Sequence, residues 1–242
     1  MTAPAGRQPQ ENRERQAALT LELLQLSQTT EVIATSAALY RRGWIEGTAG
    51  NVSARQADRP DVALITASGR SKGELTAQDI IPVTVADSAP MYAGAPKPSA
   101  ETQIHTAIYR SFPECGAVIH AHPPYATVIA GRAGKAGEPD LRLADFELIK
   151  GFGLRNPASV DVPVFANWPQ VGRIAADIEA HFAAPPADVP PVLLIAHHGA
   201  TAWGPTLEAA RNRLECLEGI CRLQLLTLAM PLQAGAQRRA PA

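Results

Sequence analysis

The sequence of 242 residues lacks several features that would assign it to a specialised class of protein. Its three cysteines are an odd number without a Cys-x-x-Cys pair, which argues against a disulfide framework and predicts buried thiols. No apolar run approaches the roughly 20 residues that a membrane span requires. The polar N-terminus contains no apolar signal core. We therefore expect a cytoplasmic protein that does not bind a membrane.

The sequence also lacks an excess of charge of either sign. Lys and Arg together number 22 and Asp and Glu 23, for a formal net charge of -1. This balance argues against a nucleic-acid partner, because such proteins usually carry a basic excess, and any phosphate site must be local. Hydrophobic residues make up 46% of the chain and charged residues only 19%, which is enough apolar material for one large core.

Hydrophobic periodicity predicts one domain over residues 17–232, between disordered tails at residues 1–16 and 233–242. Helical spacing covers five stretches: 17–42 as one or two helices, 99–113, 125–130, 171–182 and 206–230. Strand patterns cover six: 47–53, 62–69, 80–85, 115–122, 160–165 and 192–196. Residues 131–139 are expected to form a flexible loop. Strands mixed with helices favour a layered α/β or α+β domain.

Two histidines, His120 and His122, end a short apolar run. Side chains two apart on a strand project from the same face, so the pair has a metal-chelating geometry. A catalytic zinc site usually takes three protein ligands, and His198, at the exit of the apolar strand 192–196, is the favoured third. We prefer it to His197 because the glycine that follows lets the backbone turn tightly beside it. Two further histidines lie on predicted helix surfaces and receive no role: His105 and His181.

Two glutamates are candidates for acid–base chemistry. Glu101 could be an oxygen ligand or an acid/base near the metal, although the helix dipole also favours a carboxylate in the first turn of a helix. Glu147 stands between two large apolar residues, where partial desolvation would raise its pKa and suit a proton shuttle. The alternative for Glu147 is the exposed side of an amphipathic segment.

Small polar turns beside apolar strands could hold an anion. Their backbone N–H groups and short side chains form the kind of donor cluster that binds phosphate, and the candidates are Asn51, Ser68, Gly69 and Ser99. Lys72 or Lys97 could add positive charge. Ordinary hairpin turns explain the same residues, because Gly, Ser and Asn dominate turns for backbone reasons.

Five motifs together resemble the class II aldolase/adducin family in order and spacing. They are Gly-Thr-Ala-Gly-Asn at 47–51, Thr-Ala-Ser-Gly at 66–69, Pro-Ser-Ala-Glu-Thr at 98–102, His-Ala-His at 120–122 and His-His-Gly at 197–199. The resemblance covers nearly all of residues 30–228. It implies a three-layer α/β/α fold around a mainly antiparallel sheet. It also implies one divalent metal ion per subunit, usually zinc, and commonly a homotetramer with active sites at subunit interfaces.

The resemblance assigns roles residue by residue. His120, His122 and His198 correspond to metal ligands, and Glu101 to a carboxylate that serves as ligand or acid/base. The phosphate-binding positions correspond to Asn51, Ser68, Gly69 and Ser99, and Glu147 to the acid/base of the family's dehydratases. The sequence departs from the family at Pro123-Pro124, after the histidine pair, and at His197, where a glycine is usual. Neither departure removes a ligand.

Within the family, several segments resemble the branch that dehydrates 5-methylthioribulose-1-phosphate to 2,3-diketo-5-methylthiopentyl-1-phosphate in methionine salvage. They are Tyr-Arg-Arg-Gly-Trp at 40–44, Ser-Gly-Arg-Ser-Lys-Gly at 68–73, Lys-Pro-Ser-Ala-Glu-Thr at 97–102, Phe-Glu-Leu-Ile-Lys-Gly at 146–151 and Ala-Trp-Gly at 202–204. The alternatives are a sugar-phosphate aldolase or 4-epimerase acting on fuculose or ribulose phosphates, and a non-catalytic adducin-like interaction module. All three share the fold, so fold alone does not separate them.

Overall fold

The structure is a computed structural model that describes residues 7–185 and 188–229. Its α-helices are α1 (Arg7–Arg41), α2 (Thr102–Ser111), α3 (Pro124–Ala136), α4 (Val171–Phe182) and α5 (Leu207–Ala229). Its strands are β1 (Asn51–Arg55), β2 (Val62–Thr66), β3 (Ile80–Thr84), β4 (Ala117–Ala121), β5 (Asp140–Ala144), β6 (Ser159–Phe165), β7 (Val192–Ile195) and β8 (Gly199–Gly204). Short 3-10 helices lie at Ala77–Asp79 and Glu147–Phe152.

The strands of the described chain form one sheet in the order β3-β2-β1-β4-β8-β7-β6-β5. Neighbouring strands are antiparallel except for β6 and β7, which are parallel. Hydrophobic side chains from the two faces of the sheet form two separate cores. One core joins the sheet to α1, α3 and α5, and the other joins it to α2 and α4. This arrangement confirms the three-layer α/β/α fold with a mainly antiparallel sheet.

Strand β4 lies at the centre of the sheet and shows why both cores form. Its residues alternate between the faces, so Ala117 and Ile119 enter the first core while Val118 enters the second. His120 follows this alternation and lies on the α2 side. The register pairs His120 with Asn51 of β1 and with Thr201 of β8. The end of β4 and the beginnings of β1 and β8 therefore meet at one place.

The loop expected over residues 131–139 is wrong, because α3 continues to Ala136. Its two interior glycines permit close packing instead of marking a turn. A Cβ at Gly131 would lie 2.7 Å from Nδ1 of His197, and one at Gly134 would collide with Ala196. Strands β5 and β8 were not predicted, and β8 follows β7 so closely that 192–204 form a hairpin.

The disordered tail expected over residues 1–16 is also wrong for the part that the structure describes, since α1 already begins at Arg7. Gln, Glu and Arg in this stretch are good helix formers even without an apolar face, and Pro9 is tolerated because it lies in the first helical turn. Residues 1–6 and 230–242 lie outside the described part. The tails there, and the single domain over 17–232, remain predictions.

The cysteines are free thiols, as expected from their odd number. Cys115 and Cys221 are buried and Cys216 is partly buried. Burial raises the pKa of the Cys115 thiol to about 12. These thiols therefore belong to the packing of the domain.

Candidate metal centre

Four side chains converge where the ends of β4, β1 and β8 meet. Glu101, His120, His122 and His198 each offer one ligand atom, and these atoms all lie within 4.8 Å of one another. The Nε2 atoms of His120 and His122 are 3.2 Å apart. Glu101 Oε1 lies 2.8 Å from His198 Nε2 and 3.6 Å from His120 Nε2. The candidate ligands predicted from the sequence are thus neighbours in the structure.

Each of these side chains is positioned by a different local feature. His120 is in β4 and His122 follows that strand, whereas His198 lies in the tight turn between β7 and β8. Gly199 lets this turn approach β4, because a Cβ there would lie 2.7 Å from Cδ2 of His122 and would collide with the Ala121 carbonyl. Glu101 is the N-cap residue of α2, which crosses above the strand ends.

His197 illustrates why only one of two adjacent histidines joins the cluster. Its φ is +56°, a left-handed conformation that reverses the chain inside the hairpin. Its exposed ring lies against Gly131 of α3, on the opposite side of the sheet from α2. The choice of His198 over its neighbour agrees with this geometry.

The donor set fits a divalent transition metal. A tetrahedral zinc ion with Zn–N distances near 2.0–2.1 Å would hold its ligand atoms about 3.3 Å apart. Three of the six distances between the ligand atoms, 2.8 Å, 3.2 Å and 3.6 Å, scatter around that value, and all six are within 4.8 Å. Three imidazoles and one carboxylate suit zinc and other first-row divalent ions, so the donor set does not identify the metal.

The protonation states of the cluster also suit metal binding, which needs neutral imidazoles and an ionised carboxylate. Burial lowers the pKa of His120 to about 4, and burial with the nearby charge of His198 lowers that of His122. Burial works to raise the pKa of Glu101. The charge of His120 and hydrogen bonds from His198 and Asn51 outweigh it and hold that pKa well below its usual range.

A hydroxyl group supports the ring of His120 from behind. Nδ1 of His120 lies 2.9 Å from Oγ1 of Thr201, which is itself fully buried. With Nδ1–H donating to this hydroxyl, Nε2 is left unprotonated and faces the cluster. Such a partner fixes the tautomer and the orientation of a metal-binding histidine.

The polar turns predicted to bind phosphate are brought together only in part. The backbone N–H of Ser68 donates to the Lys97 carbonyl (2.9 Å) and that of Ser99 to the Thr66 carbonyl (3.1 Å), so Ser68, Gly69 and Ser99 are neighbours. The Asn51 side chain is turned elsewhere, because its Nδ2 donates to Glu101 Oε2 at 2.6 Å.

Lys72 is buried beneath these turns, whereas Lys97 is exposed. The Nζ of Lys72 donates to the carbonyls of Thr48 (3.1 Å) and Arg70 (2.9 Å) and so connects the turn before β1 with the turn after β2. Burial lowers the pKa of Lys72, and the charges of Glu101 and Asp79 oppose that shift. Of the two lysines, Lys72 is therefore the one that could add positive charge beneath the phosphate-binding turns.

Glu147 does not join the cluster within this chain. It begins the 3-10 helix Glu147–Phe152, and its side chain is 81% exposed and pairs with Lys150 at 2.7 Å. The prediction of a partly desolvated carboxylate is therefore wrong for the single chain. The two apolar neighbours of Glu147 in the sequence pack elsewhere, Phe146 against the first core and Leu148 beside Gly219 of α5.

His105 was assigned no role, and here the sequence reasoning missed a residue. It is 1% exposed, and its ring lies between Asn51 and Ser53 of β1. The signal that could have found it is its spacing, because His105 follows Glu101 by four residues on α2 and so shares its helix face. His181, by contrast, is exposed on α4 as predicted.

Comparisons with known proteins identify the family of this chain. Residues 30–225 match the model of the family described as Class II Aldolase and Adducin N-terminal domain. None of the helices in the described part of the chain is both long enough and apolar enough to cross a membrane.

Two relatives illustrate the similarity in sequence. The chain is 42% identical over 196 residues to a methylthioribulose-1-phosphate dehydratase of Microcystis aeruginosa, covering 79% of this chain and 91% of that protein. It is 52% identical over 197 residues to a protein of Nocardia farcinica named "Probable bifunctional methylthioribose-1-phosphate isomerase/methylthioribulose-1-phosphate dehydratase". That match covers 81% of this chain but only 35% of the longer relative.

The fold is similar to solved structures as well. The structure of YgbL from Klebsiella pneumoniae superposes with a TM-score of 0.72 at 29% sequence identity. The match covers 86% of this chain and 92% of that one. The layers and the sheet described above are therefore those of a known fold.

Proposed function

Since the chain belongs to the class II aldolase and adducin family, we propose that it is a metal-dependent hydro-lyase that converts 5-methylthioribulose-1-phosphate to 2,3-diketo-5-methylthiopentyl-1-phosphate in methionine salvage. The observation that carries this choice is the similarity to the Microcystis dehydratase along nearly the whole length of that protein. The cluster of three histidines and Glu101 supports an enzyme over an adducin-like scaffold, because a scaffold needs no set of converging metal ligands.

The Nε2 atoms of His120, His122 and His198 hold the metal ion, one per subunit, and zinc is the favoured identity. When bound, the ion supplies a Lewis acid that polarises the C2 carbonyl of the substrate and so acidifies the proton on C3. Glu101 contributes its Oε1 atom to the same cluster as a further ligand or as an acid/base. Thr201 keeps the ring of His120 in the tautomer that this arrangement needs.

The reaction removes a proton from C3 and the hydroxyl group from C4, and these leave together as water. The enol that remains tautomerises to the 2,3-diketone. A carboxylate is needed to accept the C3 proton or to protonate the departing hydroxyl. We assign this proton transfer to Glu147.

Because Glu147 is exposed in the single chain, it acts from a neighbouring copy within a homotetramer. Leu148, next to Glu147 in the sequence, is 39% exposed, and Tyr125 of α3 is 40% exposed. Both adjoin α5, where Leu148 packs beside Gly219 and the backbone N–H of Tyr125 donates to Glu218. Exposed apolar side chains on this side of the chain support a contact between copies.

The phosphate group binds at Ser68, Gly69 and Ser99, with Lys72 contributing positive charge beneath the turns. Asn51 was predicted to belong to this set, but Glu101 and His105 engage both ends of its amide group, so its side chain can contribute only the second N–H of Nδ2. The substrate is thus a small phosphorylated ketose held between the turns and the metal.

Parallel turnover assays test the proposal. The purified protein, loaded with zinc, is given 5-methylthioribulose-1-phosphate, fuculose-1-phosphate and ribulose-5-phosphate. We expect diketone formation from the first and neither cleavage nor epimerisation of the others. Cleavage to dihydroxyacetone phosphate without diketone would replace this proposal with an aldolase. The cytoplasmic location remains a prediction.

A further inference from the structure

Five side chains form a continuous chain of hydrogen bonds behind the metal cluster. Asn51 Nδ2 lies 2.6 Å from Glu101 Oε2, and Asn51 Oδ1 lies 2.5 Å from His105 Nε2. Nδ1 of His105 lies 2.7 Å from Oγ of Ser53, which in turn lies 2.8 Å from the Tyr109 hydroxyl. We call these five residues the polar ladder. All but Glu101 are at most 2% exposed.

The ladder alternates between α2 and β1 because the two elements share a repeat length. Glu101, His105 and Tyr109 are spaced by four residues on one face of α2, which is a rise of about 6 Å per step. Asn51 and Ser53 are two residues apart on one face of β1, which is a rise of about 6.6 Å. Each side chain of the helix therefore meets the next polar side chain of the strand in sequence.

The proton positions in the ladder follow from the carboxylate at its end. An ionised Glu101 only accepts hydrogen bonds, so Asn51 must present its NH2 group to it and its carbonyl oxygen to His105. Nε2 of His105 then carries the proton, and Nδ1 accepts from the Ser53 hydroxyl. The Tyr109 hydroxyl donates to Ser53 in turn. Every bond therefore runs toward Glu101, and each buried donor in the ladder has an acceptor.

We infer that His105 is a positioning residue that fixes, through Asn51, the direction in which the Glu101 carboxylate faces the metal cluster. Held at Oε2 by Asn51, Glu101 can turn only Oε1 toward the histidines, where it lies 2.8 Å from His198 Nε2. Without the proton on His105 Nε2, the Asn51 amide could flip and present its oxygen to the carboxylate. Two acceptors would then oppose each other, and Glu101 would swing away.

The far end of the ladder is closed by Arg55, which lies on the same face of β1. Its guanidinium stacks over the Tyr109 ring at 4.8 Å and donates to the backbone carbonyl of Tyr109. This contact anchors α2 to β1 from the outside. The contact of Arg55 with Tyr109 is therefore structural, whereas the contact of His105 with Asn51 positions Glu101.

The first test observes the proton directly and does not depend on the substrate. In the full chain with 15N-labelled histidine, long-range 1H–15N spectra should show His105 as the neutral tautomer protonated at Nε2. Burial lowers the pKa of His105 to about 3, so the signal should not titrate near neutral pH. A ring protonated at Nδ1 would reverse the direction of the ladder and overturn the inference.

The second test compares His105→Gln with His105→Leu, since Gln can still donate to Asn51 and Leu cannot. Co2+ replaces zinc because its absorption reports the arrangement of ligands. We expect His105→Leu to keep binding Co2+ but with an altered spectrum and kcat reduced about 10–100-fold at little change in KM. His105→Gln should restore much of both. The effect on kcat rests on the proposed function, whereas the spectrum does not.

Tyr109→Phe is the matched control, because it removes one hydrogen bond from the structural end of the ladder and should leave the Co2+ spectrum unchanged. Urea unfolding measures the stability of all three variants. If His105→Gln and His105→Leu are equally stable and show the same change in Co2+ spectrum and kcat, only packing matters and the inference is overturned. If His105→Leu fails to fold, the tautomer and the spectrum of His105→Gln still decide the question.

Discussion

Glu101 and Glu147 each lie at the start of a helix, yet their surroundings differ. Glu101 accepts hydrogen bonds from Asn51 and His198 and lies among the candidate metal ligands. Glu147 is exposed and pairs with a surface lysine three residues further along the chain. The difference arises from what lies opposite each helix start. The end of β4 and the beginnings of β1 and β8 meet at Glu101, whereas the 3-10 helix of Glu147 packs on α5.

A functional carboxylate can therefore be organised in two ways. Glu101 is held in place by the fold of its own chain before any ligand arrives. Glu147, in our proposal, gains its surroundings only when copies of the chain assemble. The five predictions below test this contrast, and they are ordered from the largest expected effect to the smallest.

The cluster of Glu101 with three histidines should lose its metal when one histidine is replaced. We expect His198→Ala to abolish stable metal binding and to lower turnover roughly 10³-fold, since a metal ion supplies several kcal/mol of transition-state stabilisation. Metal analysis and turnover of the purified variant measure both effects. The control is His197→Asn, because Asn tolerates a positive φ. Metal loss in the control alone would show that the wrong neighbour was chosen.

Glu147→Gln should separate the two regions. We expect turnover to fall about 10²-fold, as for loss of a general acid or base, while the metal content stays normal. Glu179→Gln is the matched control, because Glu179 is also an ion-paired glutamate near the surface, 2.6 Å from Arg110. Loss of metal in Glu147→Gln would contradict the assigned role.

Mixing subunits tests whether Glu147 acts across copies of the chain. Neither Glu147→Gln nor His198→Ala is expected to be active alone. If sites are shared, hybrid oligomers regain activity, because some sites then combine an intact Glu147 from one copy with an intact His198 from another. Hybrids that stay inactive would mean that Glu147 and His198 of the same copy act in one active site. Glu147 would then be organised by its own chain, as Glu101 is.

The support behind His120 should have a smaller effect on the metal. Thr201→Val removes the acceptor for Nδ1–H of His120, and we expect metal affinity to fall about 10–100-fold, as is usual for such outer partners. Competition with a chelator measures the affinity. Thr201→Ser keeps the hydroxyl group and should behave like the parent protein. An equal loss in both variants would point to packing rather than to the hydrogen bond.

The polar ladder should also make the metal-free protein sensitive to acid. Burial lowers the pKa of His105 from an ordinary 6.5 to about 3 in the folded protein, so its contribution to stability is fully present above pH 6.5 and is lost as the pH falls toward 3. One such group changes the free energy of unfolding by about 1.4 kcal/mol, or tenfold in the equilibrium constant, per pH unit. The free energy of unfolding, measured with urea at several pH values, should fall more steeply with acid in the parent protein than in His105→Gln, and the two slopes should differ by this amount. His120 and Glu101 contribute equally to both proteins. Identical slopes would mean that His105 is not buried in its neutral form.

Several features could be predicted from residue patterns because they depend on one element at a time. The two-residue period of a strand places His120 and His122 on one side, and a glycine after His198 indicates a tight turn. The mixture of strand and helix patterns favoured a layered α/β or α+β domain. The family motifs then indicated the fold and the set of candidate ligands.

Other features depend on two elements and could not be predicted in this way. Gly131 and Gly134 suggested a loop, because the pattern does not show that His197 and Ala196 pack against them. His105 was expected at a helix surface, since nothing in α2 itself indicates that polar residues of β1 lie opposite. For Glu147, apolar neighbours in the sequence suggested burial that the 3-10 helix does not provide.

The sequence by itself therefore determined which donor groups exist and which face of its own helix or strand each one occupies. The tertiary structure decided which faces meet: it joined Glu101 to three histidines, gave His105 a place in the polar ladder and left Glu147 exposed. The physical reason is that periodicity is a local property of the backbone, whereas burial, pKa and hydrogen-bond direction depend on the groups that another element brings within a few ångströms.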